Sequence, residues 1–236
     1  MSMLHSGSGL ALDLRGVAKL YGRTAALKAT TLQLPVGETL ALLGPNGSGK
    51  TTLLKILAGA ITPTLGDGTI FGCNLVRERV QLRALVGLLA AETYLYDDLS
   101  AEENLRFIVT MAGMRPNDDA ITSVLTEVNL HRHAKERVRG FSSGMKRRLA
   151  LGRLLLLRPR LLLLDEPYNS LDAAAADLVD SIIVQHSAEG GAVVLATHDA
   201  DRALGLADLV VALEQGAVRY RGPAADFRRD YVQPLV

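Results

Sequence analysis

The sequence predicts an α/β chain built on a mostly parallel sheet and interrupted by a helical insert. Short, almost wholly apolar runs bounded by turns alternate with helix-like segments on either side of the middle of the chain, and the stretch from 92 to 159 carries helix signals alone. Apolar runs of this kind are strands covered on both faces, which is what a parallel sheet between helical layers requires. A glycine-rich turn joining a strand directly to a helix at residues 39–58 points the same way. The expected organisation over 1–236 is therefore a single domain. Residues 1–91 and 160–236 form its α/β core, and 92–159 its helical subdomain.

Each element has its own signal. Residues 10–17 alternate enough for a strand and 25–34 for a second, which ends at the turn Pro35-Val36-Gly37. The apolar run 39–43 precedes Gly44-Pro45-Asn46-Gly47-Ser48-Gly49-Lys50-Thr51-Thr52, and 52–58 reads as a helix ended by Gly59. Pro63, Gly66, Asp67 and Gly68 mark a turn into a short strand at 69–71. Residues 77–83 suit an exposed helix and 84–90 a buried strand. Ser100 with Glu103 matches a capping box opening a helix through Met111. Pro116 to Asp119 break the chain before an amphipathic helix carrying Ile121, Val124, Leu125 and Val128. Ser142 or Ser143 caps a third, running to about Leu157. The α/β rhythm then resumes with a four-leucine strand at 161–164, a helix at 174–186, a strand at 192–197, a short helix at 200–207, and a final strand pair at 209–213 and 218–220.

Composition excludes several function classes. A net charge of +1 gives no broad basic face, so nucleic acid is not expected as a partner. No segment approaches the roughly 20 apolar residues of a membrane helix, because Arg153, Arg158 and Arg160 interrupt the leucine-rich runs, and the chain is expected to be soluble by itself. Met1 to Gly9 lack a basic region followed by an apolar one and read as a loose tail, not a signal peptide. The single cysteine, Cys73, excludes an internal disulfide and fits a reducing compartment. The five histidines do not cluster at ligand spacing, so no zinc site is expected.

The glycine-rich turn matches G-x-x-x-x-G-K-[ST] in the strand-loop-helix setting that gives the pattern meaning. Gly44, Gly47 and Gly49 let the backbone wrap closely with N–H groups inward, and the opening helix adds the positive end of its dipole. Lys50 is expected to reach the β- and γ-phosphates of a nucleoside triphosphate and Thr51 to ligate Mg²⁺. Asp165, closing the strand at 161–164, supplies the carboxylate that organises the metal. Glu166 points the other way and is placed to orient or deprotonate the attacking water. Tyr21, upstream, either stacks on a base or simply packs. Ser142, Ser143 and Gly144 put a hydroxyl and free N–H groups at a helix N-terminus, an anion site.

With these motifs in this order, nearly the whole chain resembles an ATP-binding cassette, the nucleotide-hydrolysing subunit of ABC transporters. Phe141-Ser142-Ser143-Gly144-Met145 and the helix after it resemble the family signature, Asn169-Ser170-Leu171-Asp172 its D-loop, and Thr197-His198-Asp199 its switch histidine. The resemblance implies a P-loop NTPase core with an N-terminal antiparallel β part and a helical subdomain, ATP and Mg²⁺ as ligands, and Tyr21 on the adenine. It also implies His198 near the γ-phosphate and Asp172 at the nucleotide. Two cassettes, identical or different, pair head to tail, so that one signature meets the triphosphate on the other's loop. The partners are transmembrane permease subunits, on whose cytoplasmic face the chain sits. The sequence departs from the family at Ala91, where a glutamine usually touches Mg²⁺: either the next residue, Glu92, takes over that contact or the coupling element is altered. Phe141 to Met145 and the segment 95–105 are similar to exporter-type cassettes, first among them the haem exporter ATPases of cytochrome c maturation. Drug and polysaccharide exporters share much of this, and a soluble cassette of the iron-sulfur assembly type is the alternative from another class. Glu166 and His198 argue against a subunit that no longer hydrolyses.

Overall fold

The structure is a computed structural model that describes residues 9–90 and 92–228. Ala91 and residues 1–8 of the expected tail lie outside the described residues. Among the described residues two sheets form. Strands β1 (Leu10–Tyr21) and β2 (Thr24–Pro35) make a long antiparallel hairpin, extended by β4 (Leu65–Ile70) and β5 (Cys73–Asn74) in the order β2-β1-β4-β5. The second sheet contains β3 (Thr39–Leu43), β6 (Val86–Leu89), β7 (Leu161–Asp165), β8 (Ala192–Thr197), β9 (Leu209–Glu214) and β10 (Ala217–Pro223). Its order is β10-β9-β3-β8-β7-β6, parallel throughout except for the β9–β10 hairpin.

The parallel strands are buried on both faces, and their alternating side chains divide the core in two. Ala41, Leu43, Leu162, Leu164, Val193 and Leu195 face one way. They meet Leu105 of α3 (Ala101–Met111), Ile121 of α4 (Asp118–Glu127), Leu149 of α5 (Ser143–Leu157) and Val179 of α6 (Ala173–Ala188). Leu40, Leu42, Leu161, Leu163 and Val194 face the other way, against Leu53 and Leu57 of α1 (Lys50–Leu57) and Leu12, Leu14 and Leu34 of the hairpin sheet. Each such leucine, fully buried, contributes about 1.5–3 kcal/mol. None of the described helices is long and apolar enough to cross a membrane.

Register sets the site. Leu43 pairs with Thr197 and Asp165 with Ala196, so the C-terminal ends of β3, β8 and β7 lie level and side by side. In an open α/β sheet that edge is where ligands bind. The caps fall as the sequence suggests: Ser100 and Glu103 exchange both capping-box bonds, and Ser142, not Ser143, is the N-cap of α5.

Three expectations need correction. Gly66, Asp67 and Gly68 do not form a turn but lie inside β4, where Gly66 has φ +77° and a Cβ on it would stand 2.3 Å from the Gly16 carbonyl oxygen. At Gly68 the Asp13 oxygen would be 2.6 Å away, so the glycines serve close approach of β4 to β1. Residues 84 and 85 end α2 (Arg79–Leu85), leaving β6 four residues long. Finally, α7 (Ala200–Leu204) is shorter than expected. Replacing Gly66 with Ala combines a left-handed φ with a backbone clash. We expect a loss of about 1–3 kcal/mol, measured as the shift in the urea unfolding midpoint.

Candidate active site

Two glycines fix the phosphate loop between the sheets. Gly44 leaves β3 with φ +148°, and a Cβ there would lie 2.2 Å from the Leu213 carbonyl oxygen of β9. Gly49 has φ +109°, and its Cβ would lie 2.7 Å from the Ala26 oxygen of β2. No other residue fits either place. Gly49 is also the N-cap of α1 and has no side chain to accept from the first-turn N–H groups, which remain available to an anion together with the helix dipole. Pro45 is half-buried and Asn46 and Gly47 are exposed on the loop's crest, while Thr52 is half-buried in the first turn of α1.

Lys50 is 6% exposed. Its Nζ donates to the carbonyl oxygens of Gly44 at 2.6 Å and Pro45 at 3.3 Å, and stands 3.8 Å from Glu166 Oε1. Burial pushes its pKa below the ordinary lysine value, against the opposing charges of Glu166 and Asp165. Thr51 Oγ1 donates to Asp165 Oδ2 at 2.8 Å. Burial raises the pKa of Asp165, and the Thr51 hydrogen bond opposes that shift. On the far side, Glu166 Oε2 accepts from Thr197 Oγ1 at 3.1 Å and lies 2.9 Å from His198 Nδ1, whose ring is exposed. Lys50, Thr51, Asp165, Glu166 and His198 thus meet at one strand edge.

Two buried oxygens in this cluster, Ser48 Oγ and Glu166 Oε1, have no hydrogen-bond partner. Buried polar groups without a protein partner fit a place where a ligand or water completes the bonding. The Thr51 hydroxyl and Asp165 carboxylate are hard oxygen donors, suited to Mg²⁺, which binds through one or two carboxylates plus substrate phosphates and water. Glu92 does not join them. It is exposed in a groove with Ser143, Lys146 and Asn169, and no group of three or more His, Cys, Asp or Glu among the described residues is placed to hold a metal.

The remaining expected residues lie apart. Tyr21 is 55% exposed at the end of β1, with Lys19 Nζ 5.3 Å from its ring centre. Ser142 Oγ accepts from Met145 N, and Ser142 and Ser143 are exposed. Gly144 passes under the Ser170 carbonyl, which would be 2.9 Å from a Cβ. Asp172 caps α6 by accepting from Ala175 N at 2.8 Å and pairs with Arg148 of α5. Among the described residues, no hydrogen bond or ion pair joins Ser142, Ser143 or Gly144 to the phosphate loop of the same chain.

One residue close to the centre escaped the sequence reading. Arg147 of α5 is buried and donates to the carbonyls of Ala90, Asp165, Glu166 and Pro167. The signal was present: Arg147, Ala150, Leu151 and Leu154 recur at helical spacing, which puts the arginine on the buried face.

The comparisons agree with this geometry. The sequence model of the family described as ABC transporter matches residues 27–169. The chain is 38% identical to the cytochrome c biogenesis ATP-binding export protein CcmA 2 of Cupriavidus metallidurans, over 79% of this chain and 89% of that protein. It is 33% identical to the lantibiotic transport ATP-binding protein SrtF of Streptococcus pyogenes, over 88% of each. Among solved structures, an ATP-binding subunit of an ABC transporter superposes with a TM-score of 0.86 at 28% identity, covering 94% of this chain and 93% of that one. A dimeric ATP-binding cassette in a post-hydrolysis state with ADP and Pi gives 0.83 at 25% identity, covering 92% and 100%. The chain therefore belongs to the ABC transporter family, as an ATP-binding cassette that hydrolyses ATP.

Proposed function

We propose that this ATPase energises export across the cytoplasmic membrane, with haem for cytochrome c maturation as its cargo. The observation that carries the catalytic part is the convergence on Glu166, with Lys50 Nζ 3.8 Å from one carboxylate oxygen and His198 Nδ1 2.9 Å from the other. In this reading the backbone from Gly44 to Thr52 cradles the triphosphate, Lys50 moves onto the β- and γ-phosphates, and Tyr21 stacks on adenine. Glu166 takes a proton from water as the water oxygen attacks the γ-phosphorus, the bond to the bridging oxygen breaks, and ADP and phosphate leave. His198 holds the γ-phosphate or the water. Thr51 and Asp165 would hold Mg²⁺, which when bound neutralises phosphate charge.

The exposed end of α5 at Ser142, Ser143 and Gly144 supports a head-to-tail pair, identical or mixed, in which this end meets the triphosphate on a second cassette. Asp172 is joined to the same helix through its ion pair with Arg148. Residues 92–159 act as the subdomain that passes closure to transmembrane permease subunits, which hold the chain at the cytoplasmic face. The likeness to the cytochrome c biogenesis protein supports haem as cargo. The likeness to the lantibiotic transporter favours a second reading, export of a modified peptide.

Three outcomes are expected. Glu166→Gln slows turnover by about a hundredfold or more and retains ATP in a dimer isolated by size exclusion, whereas unchanged turnover would remove Glu166 as the base. Lys50→Ala abolishes retention of magnesium-ATP in equilibrium dialysis, and a variant that still retained it would defeat the site as drawn. Reconstituted with its membrane subunits, the chain should show ATPase activity stimulated by haem. Stimulation by a lanthionine peptide instead would decide for the second reading.

A further inference from the structure

Arg147 carries a buried charge with no acidic side chain in ion-pair contact among the described residues; its side chain is 4% exposed. A guanidinium has five N–H donors in a rigid plane and accepts nothing, so burying it is tolerable only where those donors are met. Here they are met by backbone. Nη1 donates to the Ala90 carbonyl just beyond β6, Nη2 to the carbonyls of Asp165, at 2.7 Å, and Glu166, and Nε to that of Pro167 at 3.3 Å. Three successive carbonyls, from the last residue of β7 onward, are thereby turned toward one planar cation, which fixes the peptide planes on both sides of Glu166.

That fixation matters because Glu166 has φ +47°, a left-handed conformation that side chains with a Cβ avoid. Such backbone persists only where its surroundings determine it. The Glu166 amide donates to Ala196 of β8 at 2.8 Å, and the Glu166 carbonyl is held by Arg147. Between these two anchors the carboxylate is aimed at Lys50 and His198. Arg147 also sits within about a turn and a half of Ser142, the N-cap of α5, and Arg153 of the same helix donates to the carbonyls of Leu88 at 3.3 Å and Thr93 at 3.2 Å, on either side of Ala90. A displacement of α5 therefore reaches the Glu166 backbone through a single side chain.

We propose that Arg147 is a positioning residue for hydrolysis, holding the turn that aims Glu166 and making that aim depend on where the Ser142 end of α5 sits. The inference rests on the reading of Glu166 as the base, so Glu166→Gln is measured alongside.

The test compares Arg147→Met, Arg147→Lys and Glu166→Gln in the full chain, recording kcat, KM for magnesium-ATP and equilibrium binding of a non-hydrolysable ATP analogue. Loss of the fork should misplace the carboxylate by a fraction of an ångström to an ångström. Arg147→Met should therefore lower kcat by about 100-fold, with KM and analogue binding within about threefold of the parent. Arg147→Lys, which keeps the charge and some donors, should recover about tenfold of that loss. A merely structural role would weaken analogue binding along with kcat, and that result would overturn the inference. So would Arg147→Met turning over within about threefold of the parent while Glu166→Gln is silent, a failure that leaves the base assignment intact. Turnover retained by Glu166→Gln removes the base and this inference with it. If Arg147→Met does not fold, Arg147→Lys decides alone: kcat lowered about tenfold at unchanged KM supports the inference, and unchanged kcat overturns it.

Discussion

The structure depends on keeping an ammonium and a carboxylate close together, out of water, without letting them quench each other. Lys50 and Glu166 stand 3.8 Å apart, beyond hydrogen-bonding distance, and each is held back by other partners. Lys50 is tied to the carbonyls of Gly44 and Pro45, and Glu166 to Thr197 and His198. Desolvating both charges is costly, and removing one partner of such a pair would strand the other. The cost is met by the sheet, whose three parallel strands end level and present loop, acid and histidine from different segments of the chain. A gap between opposite charges in a poorly solvated place is where an anionic phosphate and its attacking water can enter and find both already oriented.

Much of this was legible in the sequence, for a physical reason. Strands β3 and β8 are apolar from end to end because both faces are buried, so their limits stand out at Thr39, Leu43, Ala192 and Thr197. The phosphate loop was legible because its glycines, Lys50 and Thr51 have few other uses in that order. Gly66 and Gly68 were misread because a glycine needed for close strand approach and a glycine needed for a turn look alike without knowing what lies opposite. Glu92 was considered for the metal because it follows Ala91, and adjacency in sequence does not report that it lies exposed in a groove with Ser143, Lys146 and Asn169. Arg147 was passed over because a charged residue beside Lys146 and Arg148 reads as part of a solvated face, although its helical phase says otherwise.

The helical part joins the core through apolar packing supplemented by charged side chains of α5. Rather than leucines alone, α5 brings Arg147 and Arg153 to carbonyls at the ends of β6 and β7, while Arg148 reaches Asp172 at the start of α6. Tyr168 and Arg202 extend the linkage, since both bond Asp180 of α6 and so join the segment after Glu166 to α7 after His198.

The wedging of Gly44 beneath a carbonyl of β9 and of Gly49 beneath one of β2 has a mechanical corollary. These sheets share no strand, and the loop is wedged against both, beside the Lys28 N–H to Gly216 carbonyl bond that also joins them, so shear of one over the other is felt where a triphosphate would lie. Conversely, a ligand held in the loop would bear on both sheets at once and stiffen this part of the seam.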